Sequence, residues 1–290
     1  MAEGDIKSSW AAVQDHARHF SDFKFVYPVI SRRSQGLSIG VNLNPDKICN
    51  FDCIYCEVDR QASGKGAEID LKQLQDELED MISFAQEGRL ALEPKFDEVP
   101  RLAQEVKDIA FSGDGEPTMI GKFAECVEAV VEVKQKAGLG AAKIVLITDA
   151  AGLDKENVKQ GLKIMDAHNG EIWGKLDAGT EDYYKLVNRS HVQFERILSN
   201  LKETAKARPI IIQSLLLKMH GQAMSTEELT AYCSRLSDIT GAGGQIKEVH
   251  LYTIARPTPE AYATKIEVEK LEAISEKVRA CTGLKVKAFL

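Results

Sequence analysis

The chain has 290 residues, of which 44% are hydrophobic and 28% are charged, which is typical of an ordinary globular protein. No run reaches the roughly 20 apolar residues of a membrane-spanning helix, and the first residues lack the basic and apolar pattern of a secretory signal. We therefore expect a cytoplasmic protein in a reducing compartment, where disulfides are rare. The net charge of -7 disfavours general nucleic-acid binding, although a local basic patch could still support it.

Six apolar stretches with the character of strands alternate with amphipathic stretches that predict helices. The alternation implies parallel βαβ units, arranged either as a doubly wound sheet or as a partial barrel. One helical stretch is interrupted near Asn188–Ser190. The strands are predicted at 37–43, 108–113, 143–150, 171–178, 209–217 and 246–254, and the helices at 69–85, 121–137, 155–166, 180–207, 226–239 and 266–281.

Polar residues collect near the C-terminal ends of these predicted strands. Functional sites form at that end of the sheet both in open α/β sheets and in α/β barrels. The pattern therefore predicts one active face. Its candidate residues are Asp114, Glu116, Thr148, Asp149, Lys175, Asp177, Gln213, Tyr252 and Arg256.

Three cysteines, Cys49, Cys53 and Cys56, lie within eight residues directly after the first predicted strand. Clustered thiolates suit a soft metal. An iron–sulfur cluster that takes three cysteines instead of four keeps one iron open to another ligand. Structural zinc is the alternative, but zinc needs four ligands and no fourth Cys or His lies nearby. The remaining cysteines continue apolar helix faces and are predicted to be small core residues; they are Cys126, Cys233 and Cys281.

The spacing CxxxCxxC, with Tyr55 directly before the third cysteine, resembles the signature of the radical S-adenosylmethionine (SAM) superfamily. The resemblance implies that Cys49, Cys53 and Cys56 hold a 4Fe–4S cluster whose open iron is chelated by SAM. An electron from the reduced cluster would cleave SAM to methionine and a 5′-deoxyadenosyl radical, which abstracts hydrogen from a substrate. The superfamily fold is an α/β partial (β/α)6 barrel, here with an N-terminal helix and a C-terminal extension. We expect one domain over 1–290, with the barrel over about 37–256 and additions at 1–36 and 257–290.

The turn FSGDGEPT at 111–118 follows the second predicted strand. Taken alone, it could be a tight glycine turn. It resembles the GGEP-type motif of the superfamily, which holds the amino group of SAM. The resemblance therefore assigns Gly113, Gly115 and Glu116 to SAM binding. Asp114 stands where the commoner motif has glycine, so the local turn is expected to differ.

Lys175 and Asp177 are spaced by two on the fourth predicted strand and so face one side. They would form either an exposed ion pair of little energetic weight or, as the resemblance implies, contacts with the ribose and carboxylate of SAM. Gln213 is a further candidate on the fifth strand. Thr148 and Asp149 end the third strand, where relatives often have Thr-Asn-Gly. The histidines are expected to be structural; they are His191, His220 and His250.

Longer stretches resemble a group of uncharacterised bacterial radical SAM proteins related to the tRNA wyosine-base synthases. These stretches are YPVISRR at 27–33, LSIGVNLNP at 37–45, KICNFDCIYC at 47–56, KLDA at 175–178, VNRS at 187–190 and LYTIARP at 251–257. Wyosine synthases carry extra N-terminal cysteines for a second cluster, whereas residues 1–48 contain none. The substrate of those enzymes therefore does not transfer.

These observations predict a single-cluster radical SAM enzyme that acts on an unidentified substrate and takes electrons from a flavodoxin or ferredoxin type of donor. No residue is predicted as the hydrogen donor. One alternative is an RNA (tRNA)-modifying radical SAM enzyme, which a basic surface would favour. Another alternative is a non-catalytic metal-binding protein. The basic surface would contain Arg32, Arg33, Lys47 and Arg60.

Overall fold

The computed structural model describes residues 6, 10–15, 18, 20–58, 68–256 and 258–289. Contacts divide the chain into two compact units. The first unit comprises Met1–Ile48, Gly64–Leu146 and Glu156–Gly170, and the second comprises Cys49–Ser63, Ile147–Lys155 and Glu171–Leu290. The expectation of one domain over 1–290 stays a prediction. Within the described part of the chain, no helix is both long and apolar enough to cross a membrane.

The first unit is built on a four-stranded arrangement. The strands are β1 (Val26–Ser31), β2 (Gly36–Val41), β3 (Val106–Phe111) and β4 (Lys143–Thr148), and the helices are α1 (Ala11–Gln14), α2 (Leu71–Gln86), α3 (Phe123–Lys136) and α4 (Glu156–Ala167). Strand β1 runs antiparallel to β2, while β2, β3 and β4 are parallel neighbours. All six residues of β2 are buried, as expected for a strand covered on both faces.

The second unit repeats the parallel pattern. Its strands are β5 (Gly170–Lys175), β6 (Ile210–Met219), β7 (Gln222–Ala223), β8 (Ile246–Thr253), β9 (Ala263–Lys265) and β10 (Val286–Phe289), and its helices are α5 (Glu181–Asn188), α6 (Phe194–Ala207), α7 (Thr226–Gly241) and α8 (Val268–Thr282). Strands β5, β6, β8 and β10 are parallel neighbours in that order. The short β7 and β9 pair antiparallel with the end of β6.

Local chemistry explains where the helices of the second unit begin and end. The side chains of Thr180 and Ser225 accept the N–H groups of Tyr183 and Glu228, so they cap the first turns of α5 and α7. Helix α5 ends because Arg189 adopts a left-handed conformation with φ of 45°. The predicted helix over 180–207 is therefore two helices, interrupted where the sequence indicated.

Each of the six predicted strands is present, and so is each predicted helix. Strand β1 was not predicted; it contains Pro28 and pairs only with β2 along the strand order, which suits an edge position. Cys126 and Cys233 are buried as predicted. The prediction for Cys281 is wrong, because this thiol is exposed in the last turn of α8, beyond the buried stripe of that helix.

Candidate active site

The loop that carries the three cysteines lies in the second unit, between Cys49 and Cys56. Cys53 is 8% exposed, whereas Cys49 and Cys56 are partly exposed, and none forms a disulfide. The Phe51 N–H lies 3.4 Å from Cys49 Sγ, and the Cys56 N–H donates to Cys53 O at 2.9 Å. Among the residues that the structure describes, no group of three His, Cys, Asp or Glu side chains lies close enough together to hold a metal ion. The donor set, three cysteine sulfurs outside any disulfide on one short loop, nevertheless fits a soft metal or an iron–sulfur cluster.

The backbone of the cysteine loop is hydrogen-bonded to the end of α5. The Asp52 N–H donates to Asn188 O at 3.0 Å, and the Ile54 N–H donates to Val187 O at 2.9 Å. We call Val187–Ser190 the anchor segment. These two bonds hold the loop on either side of Cys53.

Side chains of the anchor segment add further bonds to the same loop. The Ser190 Oγ donates to Asn50 O at 2.8 Å, and the Arg189 Nε donates to Asp52 O at 2.7 Å. Arg189 is also ion-paired with the carboxylates of Asp52 and Glu260. The anchor segment therefore contacts the cysteine loop through the backbone and through charged and polar side chains.

Asp177 is the centre of a buried polar network behind the loop. It is 3% exposed. The Leu215 N–H donates to its Oδ1 at 2.8 Å, while Oδ2 accepts from Asn188 Nδ2 at 2.8 Å and from the Tyr55 hydroxyl. Lys175 Nζ lies 3.8 Å from the same Oδ2. The carboxylate is thus held by groups from β6, α5 and the cysteine loop.

Lys175 is the cation of this network, with a side chain that is 17% exposed. Its Nζ donates to the Tyr252 hydroxyl at 3.3 Å and lies 4.6 Å from the centre of the Tyr55 ring. Burial acts to lower the pKa of Lys175, but Asp177, Tyr252 and Cys53 outweigh it, so the pKa is raised and the ammonium stays charged. The alternative of an exposed ion pair is therefore wrong, because both partners are largely shielded from solvent.

Cys53 contacts this network through the amide of Asn188, whose Nδ2 lies 3.3 Å from Cys53 Sγ. Burial raises the pKa of the Cys53 thiol to about 11, although Lys175 and Asn188 act in the opposite direction. In the absence of metal, this cysteine is therefore a thiol at neutral pH. Asn188 was not predicted as a site residue, although the motif that contains it was noted for its resemblance.

The glycine–glutamate turn belongs to the first unit. A Cβ atom on Gly115 would lie 2.0 Å from Ile48 O, and one on Gly113 would lie 2.4 Å from Asn42 Oδ1. Asp114 accepts from Asn42 Nδ2 at 2.7 Å and pairs with Arg18 at 3.2 Å. Close packing therefore requires both glycines, while Asp114 attaches the turn to its neighbours.

Glu116 lies at the end of this turn and is 3% exposed. Its Oε1 accepts from the Thr118 N–H at 3.0 Å and from the Thr118 hydroxyl at 2.6 Å. The Glu116 N–H donates to Ile48 O at 3.3 Å. Glu116 thus caps the short 3₁₀ turn Pro117–Met119, and its predicted contact with SAM stays a prediction.

The other predicted candidates have different surroundings. Thr148 and Asp149 accept from the N–H groups of Ala150 and Ala151, so both side chains stabilise the turn after β4. Gln213 is 1% exposed, and its Oε1 has no hydrogen-bond partner among the residues that the structure describes.

The last two candidates of the predicted active face, Tyr252 and Arg256, each contact another polar side chain. Tyr252 belongs to the Lys175 network, and Arg256 Nε lies 2.7 Å from Glu57 Oε2. In the proposed basic surface, Arg33 lies near enough to Asp108 to lower its pKa, although burial raises that pKa overall. Arg60 lies outside the described residues.

An open pocket of about 670 Å³ adjoins the cysteine loop within the second unit. The loop and the chain that links α5 to α6 form its walls. The pocket is open to solvent, and its walls combine polar and apolar surface. The lining residues are Cys49, Asn50, Phe51, Asp52, Arg189, His191, Val192, Gln193 and Arg196.

Curated relatives share moderate sequence identity with this chain. A UPF0026 protein of Helicobacter pylori strain J99 is 29% identical over 80% of this chain and 66% of its own length. A UPF0026 protein of Methanocaldococcus jannaschii is 26% identical over 86% of this chain and 68% of its own length. A protein named GTPase Obg from Brachyspira hyodysenteriae is 23% identical over 89% of this chain. The chain spans only 34% of that protein and just under two thirds of the Helicobacter relative.

Solved structures share the fold of the chain at low sequence identity. Streptococcus suis SuiB bound to S-adenosylmethionine superposes with a TM-score of 0.57 at 14% identity, over 87% of this chain and 50% of that chain. TYW1 with a lysine-pyruvate adduct bound gives a TM-score of 0.52 at 16% identity, over 84% of this chain and 73% of that chain. Archaeal TYW1 gives 0.52 at 12% identity, over 86% of this chain and 73% of that chain.

The likeness to these structures confirms the predicted fold class, an α/β partial radical SAM barrel. A family match covers residues 43–233, well over half of the chain, and it includes the cysteine loop, the glycine–glutamate turn and the anchor segment. The chain belongs to the radical SAM superfamily.

Proposed function

We propose that this chain is a radical SAM enzyme whose 4Fe–4S cluster is held by Cys49, Cys53 and Cys56. The observation that carries the proposal is the loop itself: three cysteines outside any disulfide lie on one segment, whose backbone is held by α5 and whose Tyr55 hydroxyl is held by Asp177. When bound, the cluster would supply the electron that cleaves SAM and so starts hydrogen abstraction from a substrate. Membership of the superfamily supports this chemistry.

The residues proposed for SAM binding are those of the glycine–glutamate turn and of the end of β5. Gly113 and Gly115 allow close approach of the backbone, and the carboxylate of Glu116 suits the SAM amino group. The ammonium of Lys175 suits the SAM carboxylate or ribose, while Asp177 keeps that ammonium charged and oriented. The SAM bound to SuiB, a structure of similar fold, supports SAM as the ligand.

The partners follow from the same chemistry. A cluster that is reduced by one electron needs an external donor of the flavodoxin or ferredoxin type. Its sensitivity to oxidation calls for a reducing compartment, and we propose a cytoplasmic location on that ground. The chain shares a fold with TYW1 at 12–16% identity, and a shared fold does not transfer the substrate.

Anaerobic reconstitution tests the proposal. The purified chain is loaded with iron and sulfide, reduced in the presence of SAM, and assayed for 5′-deoxyadenosine. We expect about four irons per chain and product formation, and we expect Cys53→Ala to abolish both. Cys126→Ala is the matched control, because this buried cysteine lies on α3, outside the loop.

The same experiment separates the two alternatives. One zinc per chain, no iron and no product would favour the non-catalytic metal-binding protein. Product whose yield rises many-fold with added tRNA would favour RNA modification. Product formation that survives Cys53→Ala would remove the cysteine loop from the mechanism.

A further inference from the structure

Asn188 connects the buried carboxylate of Asp177 with the sulfur of Cys53. It is 2% exposed and is the last residue of α5. Its Nδ2 lies 2.8 Å from Asp177 Oδ2 and 3.3 Å from Cys53 Sγ. The amide nitrogen has two hydrogens, so it can donate to both acceptors at once.

The orientation of this amide follows from the chemistry of its neighbours. A carboxylate accepts hydrogen bonds and cannot donate them, so Asp177 requires the Nδ2 side of the amide. The opposite orientation would place Oδ1 against the Asp177 carboxylate, which is an acceptor as well. Since Asp177 is itself fixed by the Leu215 N–H and the Tyr55 hydroxyl, the amide has one favourable orientation.

The backbone of Asn188 is fixed as well. Its carbonyl accepts the Asp52 N–H at 3.0 Å, and the neighbouring Val187 carbonyl accepts the Ile54 N–H at 2.9 Å. The residue therefore approaches the loop with its main chain beside residue 52 and its side chain at residue 53. Both ends of the N–H···S contact are held in place before any cluster is bound.

We propose that Asn188 is a positioning residue that raises the reduction potential of the cluster by donating an N–H to the sulfur of Cys53. The proposal rests on the proposed function, because it assumes that Cys53 is a cluster ligand. Reduction adds negative charge to the cluster and its sulfurs, and a donor aimed at a sulfur stabilises the more negative state. Hydrogen bonds to the sulfurs are among the factors that set iron–sulfur potentials.

Asn188→Leu tests this role, because leucine has nearly the same size and shape and lacks the donor. The reconstituted variant is titrated with reductant without SAM, and the reduced cluster is followed by electron paramagnetic resonance. We expect the reduction equilibrium constant to fall about tenfold, which corresponds to about 59 mV for one electron. A residue that served folding alone would leave the potential unchanged.

Asn200→Leu is the matched control. Asn200 is 7% exposed in the same unit, and its Nδ2 donates to Ala150 O at 2.8 Å, away from the cysteine loop. The substitution removes the same chemical group from a buried site, so it should lower stability without moving the potential. A shift of equal size in both variants would overturn the proposal.

The outcomes separate this proposal from the proposed function. A wild-type chain that shows no 4Fe–4S signal would overturn the proposed function. Equal iron content and equal potentials in the wild type and in Asn188→Leu would overturn only the role of Asn188.

If Asn188→Leu folds poorly, a second variant and a spectroscopic measurement on the wild type still test the proposal. Asn188→Ser, whose side chain is too short to reach the sulfur, should show the same downward shift. In wild-type protein labelled with ¹⁵N-asparagine, electron–nuclear double resonance should detect nitrogen coupled to the reduced cluster. The absence of that coupling would contradict the proposal without any variant.

Discussion

The glycine–glutamate turn and the cysteine loop are held in place by different physical means. The turn of the first unit depends on close packing, because a Cβ atom on Gly115 would lie 2.0 Å from Ile48 O. The loop of the second unit depends on buried charge, centred on Asp177 at 3% exposure. The turn should therefore be sensitive to added atoms, and the loop should be sensitive to lost charge.

Asp177→Ala should have the largest effect on stability. It leaves the Lys175 ammonium and three hydrogen-bond donors without their shared acceptor in a buried site. Breaking a buried ion pair by removing one partner costs about 3–5 kcal/mol of unfolding free energy. Urea unfolding of the metal-free chain under anaerobic conditions measures the loss. The control is Asp182→Ala, an exposed carboxylate on α5, and equal losses in the two variants would refute the importance of burial.

Gly115→Ala should cause the second-largest loss of stability. The added methyl group forces the backbone of the turn away from Ile48, and overpacking of this kind costs roughly 1–3 kcal/mol. We also expect weaker SAM binding, measured by calorimetry on the reconstituted chain. Gly121→Ala is the control, because nothing lies within 4 Å of a Cβ atom at that position. Unchanged stability in Gly115→Ala would show that the turn is less tightly packed than its geometry indicates.

Asp114→Ala should have a smaller effect. The Asp114 side chain is 20% exposed, and the substitution removes its ion pair with Arg18 and the hydrogen bond that it accepts from Asn42. Interactions of this kind contribute about 1 kcal/mol at most sites near the surface. Unfolding measured at low and high salt should show a loss that shrinks as salt is added. A loss as large as that of Asp177→Ala would contradict the contrast between the two regions.

Replacing Glu248 tests the weakest of these charge interactions, because its lysine partners are 64% and 47% exposed and solvent screens both ion pairs. Burial acts to raise its pKa, but hydrogen bonds from Lys285, Lys287 and His250 prevail and lower the pKa of Glu248 to about 2. A carboxylate with a lowered pKa stabilises the fold above its ordinary value of 4.5. Stability should therefore fall as the pH drops from about 4.5 to about 2.

Glu248→Gln should make this acid-induced fall less steep. The free energy of unfolding across the same pH range is the measurement. An identical pH profile in the variant would show that other carboxylates cause the fall.

Sequence periodicity was sufficient for six of the parallel strands and for their helices, because these elements carry long apolar runs and amphipathic repeats. It missed the parallel strand β10, which has only four residues. It also predicted that Lys175 and Asp177 face the same side, and the two side chains do meet, although β5 ends at Lys175 and Asp177 lies two residues beyond it. It did not predict their burial, which depends on Tyr55, Leu215 and Tyr252, far away in the chain. The sequence also did not predict the hydrogen bonds between the cysteine loop and the anchor segment. Ile54 and Val187 are far apart in the chain and come together only in the folded structure.

The anchor segment also bears on how the proposed cluster would assemble. Main-chain groups of residues 50, 52 and 54 are hydrogen-bonded by groups of the protein alone. A loop that is held by its own chain loses little conformational entropy on binding a ligand, so the proposed cluster would assemble on a preorganised loop. The folded chain, as opposed to the nascent chain, would then be the acceptor of iron and sulfide. A molecule that lost the proposed cluster to oxygen would keep the scaffold for reloading.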